Sequence, residues 1–561
     1  MQTTHTEKYT LGIDFGSLSG RAVLVRVTNG DIVAQATFDY PHAVMSETLP
    51  NSDVVLPHDY ALQHPQDYLD VLSHTIPAVL KQSGIDSADV IGLGVDFTAC
   101  TVMPVYADGT PLCFNKQYVS EKHAYVKMWK HHAAQPYATR LNEIARQRGE
   151  KWLARYGGSI SSEWYYPKLW EILDQAPQVY HDMAYFIEAT DWITWMLTGE
   201  LCRNSCTAGY KELWHKQDGD LSSDFLKALD PRLENAPAEK LNAPVRAIGT
   251  RAGGLTRKMA EMTGLKEGTA VSVASVDAHA SVPAAGITES GNMLAIIGTS
   301  TCHMMLGDSE INVPGMCGVV QDGILPGKYG YESGQSCVGD HFAWFMQHCC
   351  PAEVAQKATE QGMDVFGYME QCAAKLSPGQ SGLVALDWWN GNRSILVDAD
   401  LSGLMLGMTL STRPEEMYRA LIEATAYGTR TIVENYRTHG LPVHAFYACG
   451  GIAQKSPLIM QIYADVLNME VKIVDSTQAP ALGTAILAAA VAPKEAGGYD
   501  SIEKAAQAMA KIRKESYHPD QRNVLIYDKL YKEYMLLHDW FGRGGNDVMK
   551  RLKALKAEIT K

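Results

Sequence analysis

The stretch LGIDFGSLSGRAVLVRV, Leu11 to Val27, decides how the rest of the chain is read. An apolar run, Leu11 to Phe15, stops at the turn Gly16-Ser17-Leu18-Ser19-Gly20, and a second apolar run, Arg21 to Val27, follows. Short apolar runs bounded by such turns read as strands. Asn29-Gly30, a strong hairpin signal, then leads into a third strand from Asp31 to Tyr40. The same layout returns at MLAIIGTSTCHMML, Met293 to Leu306, as strand, Gly-Thr-Ser turn and strand. The repetition divides the chain near residue 285.

Working outward, Val90–Phe97 and Val102–Tyr106 read as a further strand pair, with a turn at Ala107-Asp108-Gly109. Ser120 to Leu241 is rich in Trp and Tyr and mostly helical in pattern. A strand from Thr269 to Val276 leads into Asp277. A helix is predicted from about Arg413 to His439, capped by Thr412 with Glu415 and ended by Gly440 and Pro442. Ala445–Gly451 and Glu470–Ser476 read as buried strands on either side of another helix. Strands alternating with helices in two such blocks give an α/β protein of two lobes.

Composition narrows the function. The 561 residues carry 49 basic and 63 acidic side chains, a net charge of −14. That balance disfavours nonspecific binding to nucleic acid or anionic membrane. The most apolar run, Ala485 to Ala492, is too short to span a bilayer. The polar N-terminus lacks the apolar stretch of a signal peptide. The eleven cysteines form no C-x-x-C and no H-E-x-x-H occurs, so the common linear zinc patterns are missing. The expectation is a soluble cytoplasmic protein with reduced thiols, and either a monomer or a homodimer fits.

Familiar phosphate motifs fail on spacing. Gly323 to Lys328 ends in Tyr329 and is no P-loop. Gly92-Leu93-Gly94 has Phe97 where a dinucleotide fingerprint needs its third Gly. Asp14-Phe15-Gly16 spells a kinase triplet on an N-terminal strand, the wrong context. The turn containing Gly16, Ser17 and Ser19 offers another cradle, through backbone N–H groups and two hydroxyls. Asp14 at the strand end suits Mg²⁺ held through water, and Arg21 can neutralise phosphate charge. An ordinary polar hairpin turn is the competing reading. Gly298, Thr299 and Ser300 repeat the chemistry in the second half, so the two turns can clamp a triphosphate. The third piece runs from Gly450 and Gly451 to Gln454, before Ser456 and Pro457, an N-cap and first helical position. Two glycines there admit a flat base or ribose, or else serve helix–strand packing.

In this order the segments resemble the FGGY family of carbohydrate kinases, over roughly Leu11 to Asp539. YYPKLWEIL (Tyr165 to Leu173), ATDWITWMLTGE (Ala189 to Glu200) and CGGIAQKSPLIMQIYADVLN (Cys449 to Asn468) carry the match. VDFTACTVMPVYADGTPL (Val95 to Leu112) and GYESGQSCVGDHFAW (Gly330 to Trp344) are similar to the ribulokinases within it. Trp129-Lys130-His131-His132 departs from the W-x-D-x-R of many members. The resemblance implies an actin-like, ribonuclease-H-type fold with ATP and sugar in the inter-lobe cleft. It implies an N-terminal lobe over 9–284 with a helical insertion at about 120–241, a C-terminal lobe over 285–540, and a basic tail over 541–561. Asp277 matches the family's general base, though a carboxylate there can also cap the next helix. Asp96, Ala99, Lys211 and Glu332 match the sugar pocket, with ion pairing as the plain alternative for Lys211 and Glu332. The implied reaction is ATP- and Mg²⁺-dependent phosphorylation of L-ribulose at O5 to L-ribulose 5-phosphate. Kinases of D-ribulose, xylulose or ribitol are the alternatives.

Overall fold

A computed structural model describes residues 7–50 and 52–559. The opening hairpin forms as Tyr9–Phe15 and Ser19–Arg26, with Ile32–Asp39 antiparallel on the outer side. Val90–Phe97 lies parallel to Tyr9–Phe15, and Ala270–Ser272 lies parallel to Val90–Phe97. Numbered in chain order, the sheet therefore runs 3-2-1-4-5, with Arg251–Gly254 antiparallel on its edge. The second lobe repeats that order with Tyr329–Gln335, Thr301–Gly307, Asn292–Ile297, Ala445–Cys449 and Val471–Val474. Ile512–Tyr517 is its antiparallel edge. The repeated hairpin thus marks a true structural duplication, in the two-lobed α/β arrangement of the actin-like fold.

Tyr9–Phe15 is buried along its whole length because helices cover both faces of its sheet. This explains why its sequence shows an apolar run rather than strict alternation. The helix Pro65–Ser83 covers one face and ends at Gly84 in the left-handed region. The other face is covered by Ala479–Val491, a helix that follows the last parallel strand of the second lobe. Gly12, Gly92 and Gly94 make the approach possible, since a methyl at Gly12 would overlap the Ala481 carbonyl. The small-residue helix therefore packs across the lobe boundary. It also meets Asp277–Ala284, the last helix of the first lobe, where a methyl at Gly483 would overlap the Ala280 carbonyl.

Other expectations shift. Val102–Val105 does not pair with Val90–Phe97; it joins a four-stranded sheet with Leu62–Gln63, Val126–Lys127 and Tyr185–Glu188. The stretch read as helical therefore also contributes strand. Thr269–Val276 breaks into Ala270–Ser272 and Ser275–Val276. The long helix spans Pro414–Thr438, and its box closes one residue later than predicted. The Arg413 N–H donates to Glu416 Oε2 at 2.7 Å, while Thr412 belongs to the preceding turn. Within 541–561, Val548–Ile559 is helical, and Lys550 and Lys553 pair with Asp398 (2.6 Å) and Asp400 (3.0 Å). Those lysines are bound to the second lobe rather than simply solvated. All eleven cysteines are free. Among the described residues no helix is long and apolar enough to cross a membrane.

Candidate active site

Three adjacent strand ends bring three carboxylates together. Asp14 and Asp96 are register partners in parallel strands. Ser275–Val276 pairs with Asp96–Phe97, so Asp277 follows immediately at the start of its helix. Ligands of open parallel sheets bind beyond these carboxyl ends. Asp96 is fully buried and neither of its carboxylate oxygens has a hydrogen-bond partner. Burial, reinforced by the Asp14 and Asp277 charges, raises its pKa well above the usual carboxylate range. Burial also raises Asp14, against the pull of the Arg21 guanidinium 3.4 Å away. Asp277 is the first residue of its helix, whose cap position Val276 makes no side-chain bond, so it does not cap it. Its carboxylate accepts only the adjacent Ala278 N–H at 2.6 Å, and burial and the Asp14 charge push its pKa up to about 7. A carboxylate at a strand end offers a hard oxygen ligand, so Asp14 suits Mg²⁺. Asp14 is the group that would hold it.

The two turns share a frame. In the first, the Gly16 N–H donates to the Ser19 carbonyl at 2.9 Å. Trp129 Nε1 donates to Ser17 Oγ at 3.0 Å, and Gln63 Nε2 donates to the Ser17 carbonyl at 2.8 Å. Arg21 reaches Gln478 of the second lobe at 3.4 Å. In the second, the Gly298 N–H donates to Ser300 at 2.9 Å. The Gly339 and Val338 N–H groups hold the Gly298 and Thr299 carbonyls at 2.9 and 3.0 Å. Gly450 lies against this turn: its φ is +95°, and a methyl there would overlap the Ile297 carbonyl. Gly451 faces open space. Ser456 caps its helix as expected, accepting the Ile459 N–H at 3.1 Å. Gln454 is engaged within the lobe, with the Val474 carbonyl and Arg513.

Lys211 and Glu332 meet across the lobe boundary at 3.0 Å, both buried. The two residues thus form the ion pair that was the plain alternative for them. Burial opposes the charge on Glu332, but Lys211 and Arg393 hold it down at about 2. Ala99 sits in a loop fixed by Thr98 to Thr101 (2.9 Å) and by the Thr101 N–H to Glu188 (3.2 Å). Sequence reasoning missed the groups that set these loops. Buried Lys168 donates to the carbonyls of Cys100 (2.6 Å) and Met128 (3.0 Å), tying the Ala99 loop to the Trp129 loop. His131, in the segment that departs from the family pattern, is buried against Glu171 at 2.9 Å with Lys127 at 3.0 Å from the same carboxylate. His279 is buried 3.6 Å from Glu332, and burial lowers its pKa to about 4. Arg393 bonds Glu332 from an irregular loop and carried no sequence signal at all.

Against known proteins, residues 9–283 match the N-terminal domain, and residues 293–492 the C-terminal domain, of the FGGY family of carbohydrate kinases. The chain belongs to the FGGY family of carbohydrate kinases. It is 56% identical over 552 residues to the ribulokinase of Halalkalibacterium halodurans, covering 98% of each chain. It is 56% identical to that of Geobacillus thermodenitrificans, covering 98% of this chain and 97% of the relative. Among solved structures, the xylulose kinase of Rhodospirillum rubrum superposes with a TM-score of 0.75 at 24% identity, over 95% of this chain and 98% of its own. That last likeness supports the fold; the sequence relatives support a pentulose kinase.

Proposed function

We propose that this enzyme transfers the γ-phosphoryl group of ATP, with Mg²⁺, to O5 of L-ribulose, yielding L-ribulose 5-phosphate and ADP in the cytoplasm. The carrying observation is the position of Asp277, at the end of the first-lobe sheet beside Asp14 and Asp96 and close to the inter-lobe pair Lys211–Glu332. In this reading residues 9–284 bind the sugar and residues 285–540 the nucleotide. Asp96, Ala99, Lys211 and Glu332 orient the ketose. Charged partners that must be matched by hydroxyls discriminate strongly against sugars lacking them.

Asp277 accepts the O5 proton as the oxygen attacks phosphorus, and a base near pH 7 suits that task. Gly16, Ser17, Ser19 and Arg21 face the phosphates from one lobe and Gly298, Thr299 and Ser300 from the other. Gly450 and Gly451 admit the nucleoside, with Gln454 bracing their helix. Bound Mg²⁺ would screen the phosphate charge, held by Asp14. Relatives that carry the name ribulokinase support this substrate over the alternatives. A coupled ADP-release assay over free L-ribulose, D-ribulose, xylulose and ribitol tests it. L-Ribulose should show the highest kcat/KM; a clear preference for another sugar would replace the substrate, and ATP turnover indifferent to all would reject the reading.

A further inference from the structure

Glu332 has both oxygens committed before any sugar arrives. Lys211 of the first lobe holds Oε2 at 3.0 Å, and Arg393 of the second lobe bonds Oε1 through Nη2. The remaining guanidinium nitrogens face only thiols, with Nε 3.3 Å from Cys317 Sγ and Nη1 3.5 Å from Cys302 Sγ. Thiols are weak acceptors, so among the described residues Glu332 is the one carboxylate hydrogen-bonded to a cation whose side chain is still 33% exposed. The strand makes room for it: a methyl at Gly334 would stand 3.0 Å from Arg393 Nη1.

The loop bearing Arg393 has little regular structure, yet it is tied at both sides. Ser394 Oγ accepts the Gly334 N–H at 3.2 Å, and Asn392 exchanges backbone bonds with Asp398 at 2.9 and 2.8 Å. From outside, Lys553 of the C-terminal helix donates to the Ala399 carbonyl at 2.8 Å, next to the Lys550–Asp398 and Lys553–Asp400 pairs. A path of direct contacts therefore joins the last helix of the chain to a sugar-pocket carboxylate.

We propose that Arg393 is a positioning residue for the ketopentose, fixing Glu332 in place, and that the C-terminal helix braces the loop that carries it. The assignment rests on the ketopentose kinase reading above. A carboxylate pinned by one guanidinium N–H on one oxygen and an ammonium on the other presents its free lone pairs in one direction. That suits two hydroxyls of a sugar better than a mobile carboxylate would.

The test is steady-state kinetics of full-length Arg393→Met, Arg393→Lys and the Lys550→Ala/Lys553→Ala double variant, with L-ribulose and ATP varied separately. Arg393→Met should raise the sugar KM on the order of 10- to 100-fold, the loss of one charge-assisted bond, with kcat and the ATP KM nearly unchanged. Arg393→Lys should recover part of the loss, since it restores the charge without the planar guanidinium. The double variant should raise the sugar KM by about two- to fivefold, as exposed pairs do. An unchanged sugar KM in Arg393→Met, an ATP KM rising in step, or a Lys variant no better than Met overturns the assignment. Should Arg393→Met fail to fold, the Lys and double variants decide by the same criteria. A wild-type enzyme that phosphorylates no ketopentose rejects the functional reading instead, a result visible before any variant is made.

Discussion

Two hairpins of one topology open the two lobes, and only the first carries charge. In the first, Asp14 stands opposite Arg21; at the matching place in the second, Ile296 stands opposite Cys302. Each turn begins with a glycine whose N–H closes the turn, Gly16 onto Ser19 and Gly298 onto Ser300. The backbone frame is shared while the chemistry has been divided. The first lobe gathers Asp14, Asp96 and Asp277 and can hold a cation and a transferring proton. The second offers neutral N–H and hydroxyl groups, which can follow a phosphate chain without fixing a metal. A duplicated fold thus supplies two turns of one backbone frame, and the strand-end side chains set them apart.

The largest test of that division is Asp277→Asn, which should lower kcat by about 10²–10⁴. Stability should not fall with it. Burial raises the folded-state pKa of Asp277 above its ordinary value, so the protonated form favours folding at low pH and that gain is lost as pH rises through about 7. Asn removes the ionised form, and Tm at pH 8 should be unchanged or higher. In the parent enzyme kcat/KM should rise with pH through about 7 and then level, because the acceptor must be ionised. Glu332 stays ionised down to about 2 and His279 is neutral above about 4, so neither supplies a limb near 7. A flat profile between pH 6 and 8 would remove Asp277 from the role.

How much of this could be read in advance follows the range of the interactions. Both hairpins and the Ser456 cap are local, so turn chemistry and apolar runs revealed them. The strand register that aligns Asp14 with Asp96 is not local, and only the family resemblance pointed to Asp96. Arg393 was invisible because nothing near it in sequence explains it; its partner Glu332 lies 61 residues away. The pairing of Val102–Val105 was misread because adjacency in sequence suggested a hairpin with Val90–Phe97. A central strand flanked by parallel neighbours on both sides has no free edge for it. The small-residue helix at Ala479 finds its glycine partners, Gly12, Gly92 and Gly94, in the other lobe, beyond the reach of any local pattern.

Those partners give the next break in the comparison. Gly12 in the first hairpin corresponds to Leu294 in the second, because the crossing helix lies hard against the first only. Gly12→Ala must displace the Ala481 carbonyl, and overpacking of this kind costs about 1–3 kcal/mol. Gly451→Ala, with open space around it, should stay within about 0.5 kcal/mol. Thermal melts of the two variants check this. Equal Tm values would mean that the lobes can separate at the crossing without cost.

The smallest effect belongs to the neutral hairpin. A methyl at Gly298 finds nothing nearer than the Ser300 carbonyl at 3.9 Å, and its φ is not in the left-handed region, so Ala fits the free protein. Gly16 is a poorer probe, since a methyl there faces the Ser19 carbonyl at 3.2 Å and would disturb the turn itself. If backbone N–H groups of the second turn approach the phosphates, the Gly298 methyl stands where the ligand must come. Gly298→Ala should then raise the ATP KM by about three- to tenfold, equivalent to about 0.6–1.4 kcal/mol of binding. Tm and the sugar KM should not move. An unchanged ATP KM would mean that the duplicated turn keeps its shape without its use, leaving the phosphates to Arg21 and the charged lobe alone.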